Sequence, residues 1–381
     1  MGYAKIQADD VTREISTRWF GDGIHHWRHI RDESRVMQPL PDQPAYRADQ
    51  VRQIADNLLL FQRDNGGWPK DYDMLAVLNV AQREQIAATR SLDDTSFDNH
   101  NIFSQVEYLA HAFVRLNDSQ LRDACTRGLD FMLAAQYPNG GFPQRYPGAT
   151  GFHAQITFND GAMIGALRVL KDAGDSQPHF GWLEASRRED ARDAVRRGLQ
   201  CILNCQIRVD GQPTGWCQQH DRNSYAPVSA RTFELASICP QDTTEIVRFL
   251  MSVESPTPEC INAIEAAVAW LKQVQLAGVR IRRVPAPRAE FLRHTADFDV
   301  VVVSDAAAPP LWARHYEMGT NRPVFAGRDG VRKDRLADIE LERRTGTAWY
   351  GGWPQPLLTQ EYPAWRERPR QPGATGGRQA R

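Results

Sequence analysis

The chain has 381 residues, of which 41% are hydrophobic and 24% are charged, and its formal net charge is −1. This composition is typical of a globular protein with a sizeable buried core, and the near-zero charge excludes a broad basic surface for nucleic acid. Because no run of about 18 apolar residues occurs, we expect no transmembrane helix and no membrane partner.

The first predicted segment, residues 1–40, has no clean hydrophobic period but contains an aromatic cluster between Trp19 and Trp27. We expect it to pack on the main body, residues 41–365. The first sixteen residues lack the apolar core of a signal peptide, which leaves open whether the protein stays inside the cell or begins after processing. Residues 366–381, rich in Arg, Gly, Pro and Gln, are predicted to be a disordered basic tail.

One phrase recurs along the main body, and each time it ends a predicted helix. Two close copies begin at Gln62 and Gln136, a looser copy begins at Gln206 and leads to Gly215-Trp216, and a faint fourth runs from Trp270 to Gly278. Its glycines accept left-handed backbone angles, and an aromatic residue follows, often with a proline that cannot continue a helix. The spacing of roughly 70 residues suits a helix pair with long loops.

Further amphipathic helices are predicted between these copies, because apolar residues return every three or four positions at 102–113 and 163–170. Repeated helical hairpins that share one core predict an all-α fold, an α/α toroid of three hairpin repeats with long loops. Strand signals are confined to residues 297–303 and 323–325, which predict a short β-hairpin.

A second alignment precedes the predicted inner helices of the toroid. A threonine, a phenylalanine and then an acid or amide recur at 95–99, 157–160 and 232–234. If the units circle one axis, these positions converge on one face. The pairs Asp98-Asn99 and Asn159-Asp160 can be interpreted as helix N-caps or, with Asp93 and Asp94 nearby, as oxygen ligands of a hard cation such as Ca²⁺.

Several basic residues follow Gly/Pro-rich or aromatic segments, where a rigid scaffold commonly carries binding groups. They are Lys70, Arg145, Arg314, Arg322 and Arg328, and Arg231 stands beside the third Thr-Phe-acid element. Each by itself is typical of a surface charge, whereas together they suit a groove for an anionic sugar. His220, beside Asp221, is more typical of a structural histidine than of an acid/base residue.

The six cysteines include no CxxC pair, so a zinc site is not indicated. Buried thiols and one to three disulfides both remain open.

At these motifs the chain closely resembles the family 10 polysaccharide lyases, which are bacterial pectate lyases. The matching stretches span about residues 45–353 and are DNGGWPKDYD, DDTSFDN, NGGFPQRYP, ITFNDG, GWCQQHD, ARTFE, PPLWARHYEMGTNRPVFAGRDG and RTGTAWYGGWP. The resemblance implies a secreted, monomeric toroid that depends on Ca²⁺ and cleaves polygalacturonate internally by β-elimination, giving unsaturated oligogalacturonides.

The resemblance also implies roles for individual residues. Arg231 would abstract the proton, Asp98 would act in catalysis and in metal binding, and Asp160 would be the second metal ligand. The substrate-binding residues would be Asn99, Lys70, Arg145, Arg314, Arg322 and Arg328.

Three rival interpretations remain. A terpene-cyclase-like toroid would use the acid motif around Asp93 and Asp94, but it needs an apolar cavity where this chain has Lys70 and Arg145. A glycoside hydrolase would use Asp98 and Asp160 as an acid/base pair, and would give no unsaturated product. A catalytically silent module would bind polygalacturonate without lowering its viscosity.

Overall fold

The structure is a computed structural model, and it describes residues 14–31 and 35–368. The described chain is rich in helix and has few strands, as predicted. Its longer helices are α1 (Gly21–His29), α2 (Val51–Phe61), α3 (Val80–Ala87), α4 (Phe103–Leu116), α5 (Ser119–Ala135), α6 (Ala162–Gly174), α7 (Ala185–Cys205), α8 (Pro240–Met251) and α9 (Pro258–Gln273), followed by the short helices α10 (Leu341–Gly346), α11 (Pro354–Pro356) and α12 (Tyr362–Arg366).

Strands form only two-stranded sheets in the described chain. They are β1 (Ile156–Thr157), β2 (Arg208–Val209), β3 (Gln212–Pro213), β4 (Gln219–His220), β5 (Val279–Glu290), β6 (Thr295–Ser304), β7 (Trp312–Ala313), β8 (Phe325–Ala326), β9 (Arg332–Lys333) and β10 (Tyr350–Gly351). The pairs are β1 with β4, β2 with β3, β5 with β6, β7 with β10, and β8 with β9.

The predicted hairpin between residues 297–303 and 323–325 is therefore corrected. The first segment lies in β6, but its partner is β5, and Phe325 pairs with Lys333 instead. Strand β5 has the sequence VRIRRVPAPRAE, whose arginines and prolines gave no strand signal. Proline is tolerated there because a strand of a two-stranded ribbon has one unpaired edge.

The chain divides into two compact units. The first is built from the described residues of 1–201, 219–225 and 286–297, and the second from those of 202–218, 226–285 and 298–381.

The helices bury one apolar face each. In α2, for example, Val51, Ile54, Leu58 and Phe61 recur at helical spacing and are all buried. Side chains close several helix starts: Asn79 and Gln82 form a capping box on α3, Asp118 caps α5 and Thr257 caps α9.

The recurring glutamine phrase forms a recurring hydrogen-bond arrangement. Each glutamine side-chain amide donates to two carbonyls. One lies in the loop that follows the glutamine, and the other lies in a later helix that is itself followed by a copy of the phrase. The sets are Gln62 with Gly66 and Ala124, Gln136 with Gly140 and Ala194, and Gln206 with Thr214 and Ala263, all at 2.8–3.0 Å. These bonds connect α2 to α5, α5 to α7, and α7 to α9 in order.

Glycine is required in this phrase for a steric reason. Gly66 and Gly140 have φ of 92° and 90°, and a Cβ at either would collide with the carbonyl of Arg127 or Arg197, respectively.

The aromatic residue of the phrase holds the end of the preceding helix. The indole N–H of Trp68 donates to the carbonyl of Leu58, and Trp216 donates likewise to Ile202, both at 2.8 Å. In the fourth copy, the ring comes from Trp312, which donates to the carbonyl of Leu271 at 2.8 Å. Trp312 and Leu271 are 41 residues apart, so the sequence pattern did not reveal that Trp312 completes the fourth copy.

The N-cap interpretation of the two acid-amide pairs is wrong. The N-cap positions of α4 and α6 are Ile102 and Gly161, and neither helix has a side-chain cap. Asp98, Asn99, Asn159 and Asp160 therefore lie in the loops before these helices.

All six cysteines are buried and none forms a disulfide in the structure. Among the described residues, no helix has both the length and the apolar character needed to cross a membrane.

Candidate functional site

Three loops of the first unit are joined side by side. Isolated β-bridges pair Pro69 with Thr95, and Ser96 with Arg145. The buried amide of Asn101 donates to the carbonyls of Trp68, Pro69 and Ser96 at 2.7–3.0 Å. Three of the predicted site residues, Lys70, Asp98 and Arg145, consequently lie on adjacent, cross-linked loops.

Lys70 and Asp98 form the central ion pair of these loops. The Lys70 ammonium donates to Asp98 Oδ2 at 2.8 Å, and Gln144 donates to Oδ1 at 2.9 Å. His153 Nδ1 lies 2.6 Å from the Gln144 oxygen and fixes that amide. Burial by itself lowers the pKa of Lys70, but the charges of Asp98 and Asp71 outweigh it and raise the pKa above its ordinary value.

Asn99 is held by Asp71, which is not among the predicted site residues. Its amide donates to the buried carboxylate of Asp71 at 2.7 Å. Asp71, Asn99, His100 and Ile102 all have left-handed backbone conformations, with φ between 55° and 69°. Such conformations are costly for residues other than glycine, above all for a β-branched one, and they tend to occur at functional sites.

Asp160 lies at the equivalent place before α6. It belongs to the turn Asn159–Gly161, has φ of 53°, and accepts a hydrogen bond from the Asn159 amide at 2.5 Å. The preceding strand β1 pairs with β4, where Ile156 opposes His220. His220 is buried and its Nδ1 lies 2.8 Å from the carbonyl of Tyr225, which fits a structural histidine.

The N-terminal helix α1 also reaches these loops. His26 lies 3.7 Å from Asp71, and Asp22 lies 3.6 Å from His100. Burial raises the pKa of Asp22, but the hydrogen bond from His100 and the nearby imidazoles bring it below its ordinary value. Burial lowers the pKa of His26.

The second unit carries Arg231, the predicted base, in a bidentate ion pair. Its Nε and Nη2 donate to the two oxygens of Glu234 at 2.7 and 2.5 Å. Glu234 is only 6% exposed, whereas the side chain of Arg231 is 47% exposed. Burial by itself would raise the pKa of Glu234, but Arg231 brings it below its ordinary value. Glu234 therefore anchors a guanidinium that reaches solvent.

Arg328 lies close to this pair. Its guanidinium carbon is 5.3 Å from the centroid of the Phe233 ring, and the Arg231 carbon is 4.8 Å from the same centroid. Arg328 donates to both oxygens of Glu342 at 2.9 and 2.7 Å. These hydrogen bonds are the main reason that the pKa of Glu342 falls to about 2.

The remaining predicted basic residues lie elsewhere in the second unit. Arg314 is half-buried and reaches Gln241 Oε1 at 3.5 Å, while Arg322 is exposed in the loop that pairs with Tyr316 through Pro323. Near Arg314, Asp242 is buried in the first turn of α8, and burial raises its pKa to about 7.

The donor groups of the first unit fit calcium by chemistry. Asp98, Asn99 and Asp160 offer carboxylate and amide oxygens, which Ca²⁺ prefers, and it takes six to eight of them. Among residues 14–31 and 35–368, no three His, Cys, Asp or Glu side chains are grouped so as to hold a metal by themselves. A calcium ion here would need further oxygens from water and from a bound carboxylate.

The acid motif of the terpene-cyclase interpretation has another role. Both oxygens of Asp94 accept hydrogen bonds from the buried Arg63 at 2.7 and 2.8 Å, and Asp93 accepts one from Asn65 at 3.3 Å. Both aspartates are exposed. They hold a loop rather than line an apolar cavity.

Two solved structures of a family 10 polysaccharide lyase from Cellvibrio cellulosa are similar to this chain. One, a mutant in complex with trigalacturonic acid, is 27% identical with a TM-score of 0.68, and the match covers 82% of this chain and 94% of the other. The second is 28% identical with a TM-score of 0.68, and the match covers 84% and 96%. A search of curated proteins gives no match.

With this fold and these charged loops, the protein is a polysaccharide lyase. More narrowly, the sequence model of the pectic acid lyase family matches residues 62–358, and the chain belongs to that family. The resemblance seen in the motifs is thereby confirmed, and the hydrolase, terpene-cyclase and silent-module interpretations are set aside.

Proposed function

We propose that the protein is a calcium-dependent pectate lyase that cleaves polygalacturonate internally by β-elimination and releases unsaturated oligogalacturonides. The observation that carries the proposal is the trigalacturonic acid bound to a relative that the chain matches over 94% of its length. A polymeric plant substrate is met outside the cell, so we propose a secreted enzyme that acts as a monomer.

The proposed architecture is the α/α toroid. It is supported by the glutamine hydrogen bonds, which connect four helices in sequence order. We propose that this series is the repeating part of the toroid, and that the loops of the Thr-Phe-acid elements carry the groups that the reaction needs.

The basic loop residues would bind the uronate carboxylates. Lys70 and Arg145 follow the first two copies of the glutamine phrase, and Arg314, Arg322 and Arg328 follow β7 and β8. Guanidinium groups can form two parallel hydrogen bonds with a carboxylate, and an ammonium acts as a point charge. Asn99, fixed by Asp71, would donate or accept one further hydrogen bond.

Arg231 would remove the proton from C5, and a C4–C5 double bond would form as the bond from C4 to the glycosidic oxygen breaks. The leaving oxygen would take a proton from water. Glu234 accepts hydrogen bonds from Nε and Nη2 of this guanidinium. Glu234 orients the base, but its charge also favours the protonated guanidinium, which is a poor base. Other cations must therefore offset Glu234, and the substrate must exclude water from the pair.

Asp98 and Asp160 would hold calcium together with the substrate carboxylate. Bound calcium would supply a Lewis acid that draws charge from the uronate carboxylate and makes the C5 proton more acidic. Lys70 and Gln144 keep the Asp98 carboxylate oriented toward its loop, and Asp98 would serve catalysis by fixing the position of the reacting sugar.

The decisive experiment mixes the protein with polygalacturonate and follows ultraviolet absorbance, with calcium or with a chelator. Elimination gives a conjugated product that absorbs, and the signal should vanish with chelator and return with added calcium. Cleavage without a rise in absorbance would indicate hydrolysis and overturn the proposal. Viscosity measured in parallel tests internal cleavage, since it should fall well before much product accumulates.

A further inference from the structure

Three guanidinium groups of the second unit surround one aromatic ring. Their central carbons lie 4.5 Å (Arg343), 4.8 Å (Arg231) and 5.3 Å (Arg328) from the centroid of Phe233. A cation within about 6 Å of a ring centroid is attracted by the ring's negative face. Phe233 therefore helps to hold three cations close together although they repel one another.

Arg343 differs from the other two in its burial. It is 7% exposed and lies in α10, whereas Arg231 and Arg328 are exposed. Its Nη2 donates to Glu342 at 2.6 Å, but its Nε is buried and has no hydrogen-bond partner. Burial lowers the pKa of Arg343, and the charges of Arg328 and Arg231 act in the same direction. A buried cation with an unmade hydrogen bond costs stability, so its retention needs an explanation.

We propose that Arg343 is a positioning residue for the elimination, whose buried charge weakens the hold of Arg231 on its proton. This inference rests on the proposed function, in which Arg231 is the base. Arg343 would not touch the sugar. It would offset Glu234, whose carboxylate orients Arg231 but favours its protonated form.

The charged groups around Arg231 act in two directions. Glu234, three residues along the chain, favours the protonated guanidinium. Glu342, which accepts hydrogen bonds from both Arg328 and Arg343, favours it as well. Arg328, from the loop after β8, and Arg343, from α10, disfavour it, and together they carry one positive charge more than Glu342 offsets. Arg328 is half exposed, so solvent and salt screen its charge. Arg343 is screened least, which makes it the main opposing charge.

The size of the effect follows from the geometry. The guanidinium carbons of Arg231 and Arg343 each lie within 5 Å of the same ring centroid, so the charges are less than about 10 Å apart. At an effective dielectric constant of about 20, their repulsion corresponds to about one pH unit in the proton affinity of Arg231. On the acid side of the activity profile, that is about a tenfold change in the fraction of usable base.

Arg344, the next residue of α10, provides a matched control. Arg344 donates through Nε and Nη2 to both oxygens of Asp299 at 2.7 Å. The comparison therefore uses Arg343→Gln, which removes the charge, Arg343→Lys, which retains it, and Arg344→Gln, which removes a charge from the same helix. Melting temperature is measured for each variant.

The first readout is the pH profile of kcat on polygalacturonate with saturating calcium. Arg343→Gln should shift the acid limb up by about one pH unit and lower kcat about tenfold at a fixed pH on that limb. Arg343→Lys and Arg344→Gln should leave the limb in place. If Arg343→Gln lowers kcat in parallel with melting temperature and leaves the limb unshifted, Arg343 is merely structural and the proposal is overturned.

The second readout uses neither substrate nor calcium. Phenylglyoxal reacts with the unprotonated guanidine, and peptide mass spectrometry follows its addition to Arg231 as a function of pH. The rate at a given pH should fall about tenfold in Arg343→Gln and stay unchanged in Arg344→Gln. An unchanged rate in Arg343→Gln overturns the coupling. If the reaction rate falls in Arg343→Gln but the wild type makes no unsaturated product, the coupling between Arg343 and Arg231 stands. The lyase proposal is then the one that is overturned.

Discussion

Replacing Lys70 by methionine tests whether Asp98 is a calcium ligand. The Lys70 ammonium lies 2.8 Å from Asp98, and the two side chains are only 22% and 13% exposed. Removing one partner of a buried pair leaves the other charge without compensation and costs about 3–5 kcal/mol. Because Gln144 continues to donate to Asp98 and some solvent reaches the pair, we expect a loss of about 2–3 kcal/mol in the free energy of unfolding without calcium.

Calcium should then stabilise the variant more than the wild type. Lys70 occupies Asp98 Oδ2, so a cation that binds this carboxylate must compete with the ammonium. Without that competition, calcium at about 100 times its dissociation constant would raise the free energy of unfolding by about 2.7 kcal/mol. In a chain of this size, each kcal/mol corresponds to roughly 1–2 °C in melting temperature. The calcium-induced rise in melting temperature should therefore be a few degrees larger in Lys70→Met.

The assay is calorimetric melting of both proteins in chelator and in a calcium series. Lys171→Met is the control, because Lys171 forms an ion pair at 2.6 Å with Asp175, the residue that follows α6. It should change the calcium response little. A second variant, Lys70→Met with Asp98→Asn, should lose the extra response. If Lys70→Met gains no more from calcium than the wild type does, Asp98 does not bind the ion.

Three further predictions concern the base, the repeat and a buried acid. Arg231→Lys should nearly abolish turnover while polygalacturonate affinity is largely retained, since lysine cannot keep the bidentate contact with Glu234. If this variant turns over at the wild-type rate, Arg231 is not the base. Gln136→Ala leaves two buried carbonyls without their side-chain donor and should cost about 1–3 kcal/mol, measured by urea unfolding, whereas the exposed Gln120→Ala should cost little. Asp242 has a raised folded pKa of about 7, so its contribution to stability is complete below its unfolded pKa of about 4 and is lost as pH rises through 7. Asp242→Asn should therefore gain in melting temperature relative to the wild type as pH rises from 4 to 8, and a difference that does not depend on pH would contradict the assignment.

Some elements could be predicted because their signal is local. The glutamine phrase marks helix ends through residues a few positions apart, and its glycines meet a steric need that no other residue satisfies. The acid-amide pairs were located correctly in front of α4 and α6, but their local interpretation as caps was wrong. Ile102 and Gly161 take the cap positions, since the loops turn through left-handed conformations first.

Other residues of the candidate site gave no signal because their partners are distant in the sequence. Gln144 reaches Asp98 across 46 residues, and Asp71 reaches Asn99 across 28. Arg343 and Arg231 both contact the ring of Phe233. In the sequence, Arg343 and Arg344 are indistinguishable neighbours, yet Arg343 packs against Phe233 and Arg344 is paired with Asp299.

The amino-acid sequence by itself determined the helical class, the repeating unit, the family and the loops that carry charge, because these depend on periodicity, turn chemistry and motifs within a few residues. Only the tertiary structure decided which carboxylate holds each cation and which arginine is buried. Those choices depend on distance and desolvation between segments that are far apart along the chain, and electrostatic strength follows the separation in space rather than in sequence.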